Sequence, residues 1–78
     1  MLTKQRPSQR ETWTIDRIQS MLAVRLGQYA AMIQVSIENT VIVLRGELPS
    51  IALKQQLVPA IRQAGVLGQV SDCVRISA

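Results

Sequence analysis

The stretch Val41-Ile42-Val43-Leu44-Arg45-Gly46-Glu47-Leu48-Pro49-Ser50 does most to narrow what this chain can fold into. Four β-branched or leucyl residues in a row suit a pleated, half-buried strand. Gly46 interrupts the apolar run. Pro49 disfavours helix at the residue before it, and Ser50 is a residue type that accepts hydrogen bonds from the free N–H groups at a helix start. A strand, a turn and a helix entrance thus follow one another along this one stretch, and the flanking segments have to dock against that unit.

Upstream, Ile33, Val35 and Ile37 alternate with Gln34, Ser36 and Glu38, the period of a half-buried strand. Asn39-Thr40 forms a turn. A two-residue loop pairs Glu38 with Val41, Ile37 with Ile42, Ser36 with Val43, Val35 with Leu44 and Gln34 with Arg45. Each inward residue of one strand then meets an inward residue of the other, so the register is self-consistent. Thr40 is a poor choice where a type I′ turn needs positive φ, which leaves a longer loop as the alternative.

The spacing predicts a first helix that starts at Thr14 and ends before Gly27. Thr14 serves as its cap, with Trp13 and Ile18 as a hydrophobic staple across it and Asp16 in the first turn. Ile15, Ile18, Leu22 and Leu26 make the buried stripe, and Arg17 and Arg25 fall on a solvated face. A second helix is expected from Ile51 to Ala64, with Leu53, Leu57, Ile61 and Ala64 inward. Pro59 lies on its wet side, where a missing hydrogen bond is replaced by water, so one bent helix is expected and not two. Gly65-Val66-Leu67-Gly68 ends that helix. The pair of glycines has the spacing of an RNA-clamping loop, but here it joins a helix to a strand and not two helices. Val70, Asp72, Val74 and Ile76 then face inward on a last strand.

The expected fold class is α+β, in the order α-β-β-α-β, with two helices packed on one face of a three-stranded mixed sheet. The crossover from Val41 to Ile76 makes its two strands parallel. Residues 1–12 read as a disordered basic leader carrying Lys4, Arg6 and Arg10, and residues 13–77 as one domain. Gly46, Ser50 and Gly65 are structural positions. With one tryptophan, one tyrosine and no phenylalanine, the core has to be aliphatic. Cys73 is the only cysteine and histidine is absent, which excludes an intrachain disulfide and a cysteine-built zinc site; no metal or cofactor is expected. No run reaches the ~18 apolar residues of a membrane span, and the N-terminus lacks the apolar centre of a secretory signal. A cytoplasmic location is expected if the chain is complete, and a periplasmic one if it is an excised domain.

Ile33-x-Val35-x-Ile37-x-Asn39, Ile42-x-Leu44-x-Gly46, Ser50 and Leu67-x-x-Val70-x-Asp72-x-Val74-x-Ile76 together resemble the BON domain, over about residues 15–77. BON domains occur in bacterial osmotic-shock proteins, outer-membrane-associated proteins and some channels. The resemblance implies the same element order, a mixed sheet, and a role in binding phospholipid or partners at membranes. Three positions depart from the family pattern. Arg45 stands where a small residue is usual, Thr40 where a turn glycine is usual, and the glycine before the last apolar pair comes one residue early, as Gly65.

The residues themselves argue against catalysis: there is no histidine, no phosphate-binding GKS/T loop, and no serine with a base near it in the pattern. Outward parity gathers Val41, Val43, Arg45, Cys73 and Arg75 with Gln34 and Ser36 on the uncovered sheet face. Valines flanked by two arginines suit acyl chains and lipid phosphates, and the net charge of +4 favours anionic partners. Three readings follow. The first is binding of anionic phospholipid head groups by Val41, Val43, Arg45 and Arg75, helped by the leader. The second is a protein partner or weak homodimer through the same face, against a monomer. The third is non-specific nucleic-acid binding, which the lack of aromatics on the sheet argues against.

Overall fold

The computed structural model describes residues 9–77. The element order is helix α1 (Gln9–Leu26), a 3-10 segment (Gly27–Met32), strands β1 (Ile33–Glu38) and β2 (Val41–Leu48), helices α2 (Ile51–Lys54) and α3 (Leu57–Gln63), and strand β3 (Val70–Ile76). The sheet order is β1-β2-β3, with β1 antiparallel and β3 parallel to the central β2. The α+β class and the mixed three-stranded sheet are as the sequence predicts.

The hairpin register is also the expected one, Glu38 to Val41 through Gln34 to Arg45, with one further pair, Ile33 to Gly46. Asn39 and Thr40 both take positive φ, 51° and 65°, so the tight two-residue loop forms in spite of Thr40. A β-branched residue there carries strain of roughly 1–2 kcal/mol. Thr40→Gly is therefore expected to stabilise the fold by about 1 kcal/mol, a rise of roughly 4–8 °C in Tm for a domain of this size. An unchanged Tm in a calorimetric scan would show that the turn stores no such strain. Strand β2 does not stop at Gly46, as the break in its apolar run suggests; it continues to Leu48 and pairs with β3 from Ile42 to Leu48.

Helix α1 begins at Gln9, well before the expected cap at Thr14. The Thr14 hydroxyl donates to the Arg10 carbonyl at 2.9 Å, one turn back, so it sits inside the helix and does not cap it. The residues before it are helix-compatible, and Glu11 in the first turn complements the helix dipole. Residues 9–12, assigned above to a disordered leader, are thus helical, Arg10 among them; Lys4 and Arg6 lie outside the described residues. The helix ends at Gly27, whose φ of 59° suits the residue after a helix.

The segment expected as one bent helix is divided at Gln55-Gln56 into α2 and α3. Pro59 cannot donate to the Gln55 carbonyl and its ring crowds that group, so the helix is interrupted at Gln55-Gln56 and restarts at Leu57. The Gln56 N–H bonds back to Leu53 in a tighter turn, and Ala60 resumes α-type bonding to Gln56. Pro59 then falls in the first turn of α3, where an N–H is not needed. Ser50 caps α2, its Oγ accepting from the Leu53 N–H at 3.3 Å. At the other end, Gly65 N–H bonds to Arg62 and Val66 N–H to Ile61, with Gly65 at φ 86°. That is a Schellman closure.

The core lies between the helices and the inner sheet face. Ile18, Leu22, Leu44, Leu48, Leu57 and Ile61 are its large fully buried side chains, all aliphatic. Ile15 and Leu53, assigned to the buried stripes, are only half-buried. Asp72 shares the inward parity but sits exposed on the sheet edge, where it accepts the Val74 N–H at 3.0 Å.

Candidate functional site

The register brings the four predicted binding residues to one face of the sheet, with Val41, Val43 and Arg45 on β2 and Arg75 beside Glu47 on β3. Their environments differ from what a lipid-seating patch requires. Val43 is 6% exposed, closed over by the neighbouring strands, and Val41 is half-buried. Arg45 is engaged: its Nη1 lies 2.6 Å from Glu38 Oε2, and the Ser36 hydroxyl donates to the same carboxylate oxygen at 3.1 Å. The guanidinium and that hydroxyl hold the Glu38 carboxyl below its ordinary value, while the carboxylate raises Arg45. With Glu38 and Glu47 against Arg45 and Arg75, the face is close to charge-balanced. Cys73, also on it, is exposed and lies 3.6 Å from the Ser71 hydroxyl.

A different surface forms where α1 passes the end of α3. Arg17 donates from Nε (2.9 Å) and Nη2 (2.6 Å) to the Ala64 carbonyl, one of the carbonyls left free at a helix C-terminus. Its guanidinium carbon also stands 4.8 Å from the centre of the Trp13 ring, in cation–π contact. One turn further along α1 than Met21, Arg25 donates to the side-chain oxygens of Gln63 (2.8 Å) and Gln56 (2.6 Å). Arg62 completes the set by holding the following loop through the Val66 and Gly68 carbonyls. These three guanidinium groups thus rest on neutral oxygens, which fix their positions and leave their charge in place.

Between α1 and α3 runs an open groove of about 370 Å³ lined by Trp13, Arg17, Met21 and Val24 with Asp16, Ser20, Gln63 and Ala64. Trp13 is 59% exposed and Val24 78%. Trp13 therefore does not serve as the staple expected of it, and it flanks the groove stacked on Arg17. Arg17 and Arg25 are likewise not idle solvated charges; they tie α1 to α3. A signal for this surface is present in the sequence. Trp13, Arg17, Met21 and Val24 recur at four-, four- and three-residue steps, a second stripe beside the buried one.

Arg17→Met would leave the Ala64 carbonyl without its charged donors. The expected cost is about 1–2 kcal/mol, or a Tm lower by roughly 5–10 °C. Thermal melting with Arg17→Lys alongside tests it, since lysine restores one bond; equal Tm values for all three proteins would mean that the clamp contributes nothing.

Among the described residues, no three Cys, Asp or Glu side chains converge as metal ligands, and no helix is long and apolar enough to cross a membrane. No family model matches the chain, and no curated protein matches it closely enough to serve as a relative.

Proposed function

We propose that this chain is a non-catalytic binding module of the BON type that engages anionic phospholipid, and that it does so through the α1–α3 face. The observation that carries the reading is the exposed Trp13 ring stacked on Arg17 at the rim of a groove continued by Met21 and Val24. Tryptophan suits the boundary between head groups and acyl chains, and exposed valine adds apolar area beside it. The guanidinium groups of Arg17 and Arg25 sit on neutral oxygens, so they keep their attraction for lipid phosphates. The outer sheet face supports the same function less well, because Arg45 is already neutralised by Glu38.

Trp13 is the single tryptophan, so its fluorescence reports on this surface alone. Vesicles of phosphatidylglycerol are expected to shift its emission to the blue, and zwitterionic vesicles to leave it unchanged. The effect should weaken sharply at about 0.15 M salt, where the screening length falls to ~8 Å. Amide-resolved titration with anionic bicelles then locates the contact. Shifts on Trp13, Arg17, Val24 and Arg25 fit the proposal; shifts on Arg45 and Arg75 move the site to the sheet. Shifts confined to residues 1–8 reduce it to a basic tail, and none at all removes the lipid reading.

A further inference from the structure

The sheet has two edges, and they are built differently. On β3, the Gln69 carbonyl accepts from Ile42 and the Ser77 N–H donates to Leu48. Bonding residues alternate in a parallel ladder, so 71, 73 and 75 also face β2, and Val70, Asp72, Val74 and Ile76 turn their backbone groups outward. On that open side the Val74 N–H is already taken by the Asp72 carboxylate at 3.0 Å. An inward-parity charge that also occupies an edge N–H discourages any further strand from adding there.

Strand β1 has no such guard. Glu38 and Val41 close a two-residue loop with positive φ at both loop residues, so they form a hydrogen-bonded pair, and Ser36 and Gln34 repeat it. Ile33, Val35 and Ile37 therefore turn their N–H and C=O groups to the open edge. The Ile33 N–H is used by the Ala30 carbonyl, but among the described residues nothing engages those of Val35 and Ile37. Their side chains are half-buried at the margin of the core. The strand, Ile33-Gln34-Val35-Ser36-Ile37-Glu38, contains no lysine, no proline and no inward charge.

We propose that β1 pairs antiparallel with β1 of a second copy of this chain, about a two-fold axis at Ser36, joining two sheets into one of six strands. In this register Val35 of one copy exchanges backbone bonds with Ile37 of the other, and their apolar side chains meet on the core side. On the outer face Gln34 stands opposite Glu38 of the second copy, an amide donor to a carboxylate, and this pair occurs twice by symmetry. Centring the axis on Glu38 would oppose two carboxylates. Centring it on Val35 would call on the Ile33 N–H, which is already bonded. The contact is short, so a weak dimer set by concentration is expected. It uses the backbone edge of β1, no residue of which lines the α1–α3 groove, and does not depend on lipid binding.

Sedimentation of the full chain from roughly 0.05 to 1 mM, with amide exchange at both ends of that range, tests the pairing. The weight-average mass should rise toward the dimer. Exchange at Val35 and Ile37 should slow about threefold or more while Val70 and Ile76 at the other edge stay unchanged. Gln34→Glu places like charges across the new pair yet faces Arg45 within the monomer, so the fold is kept. It should lower the association constant about threefold or more, and Gln34→Lys should raise it. A mass that stays monomeric to 1 mM overturns the proposal. So does association that leaves the Val35 and Ile37 amides and the Gln34 variants unaffected, because the contact then lies elsewhere.

Discussion

Gly46→Ala is expected to unfold this domain more readily than any other substitution of similar size. At φ 138° Gly46 holds a backbone conformation that side-chain-bearing residues rarely adopt. A Cβ built there would lie 2.1 Å from the Met32 carbonyl oxygen and 3.3 Å from Ile33 Cα, both backbone atoms that cannot swing aside. Inward parity explains the closeness. Gly46 faces the side on which the 3-10 segment passes into β1, and that segment crosses tight against the sheet where a side chain would otherwise stand. Accommodating alanine means moving the Met32–Ile33 junction, hence the register end of β1. Together with the strain at φ, a cost of about 3 kcal/mol or more is expected.

A domain of this size has only about 4–10 kcal/mol in hand. At about 1 kcal/mol per molar urea, the midpoint should fall by about 3 M or more. Gly68→Ala is the control. Its added methyl would meet only Ile42 Cδ1, at an ordinary 3.5 Å, so its midpoint should barely move. If the two variants unfold together, the close approach at Met32 is not what places a glycine at position 46.

That glycine shows what the sequence discloses and what it withholds. A break in an apolar run at Gly46 is visible as a residue type, but it reads as a strand end. Its actual cause is a carbonyl brought in by a segment fourteen residues back, which no local pattern reports. The hairpin was legible because alternation and a two-residue turn are local and agree with each other. The division at Gln55-Gln56 is not, because the side that Pro59 faces says nothing of its ring, which acts on the carbonyl four residues before it. The candidate site follows the same rule. Periodicity places Arg17 and Arg25 off the buried stripe, correctly, and from that alone they read as solvated. Their partners, Ala64 and Gln63, arrive from the far end of the chain. Parity likewise put Val43 and Arg45 on the outer face, but it could not show that Glu38 would take the guanidinium.

Leu44→Ala, set beside Val43→Ala, is expected to separate the two faces of the sheet energetically. The residues are neighbours on β2, the central strand, and both are nearly inaccessible, Leu44 at 0% and Val43 at 6%. Leu44 packs in the single apolar layer with Ile18, Leu22, Leu48, Leu57 and Ile61. These are branched aliphatic side chains held from two helices and the central strand, so a void among them closes only in part. Truncation there should cost about 3–5 kcal/mol, enough to unfold a large share of the molecules. Val43 has flanking strands but no covering helix, and the gap left by its truncation opens to water, so about 1 kcal/mol is expected. The measurement is the pair of urea midpoints at one low protein concentration. Equal costs would mean that the outer face is packed as tightly as the core, which two layers alone cannot provide; some further layer would then have to cover Val43 in solution.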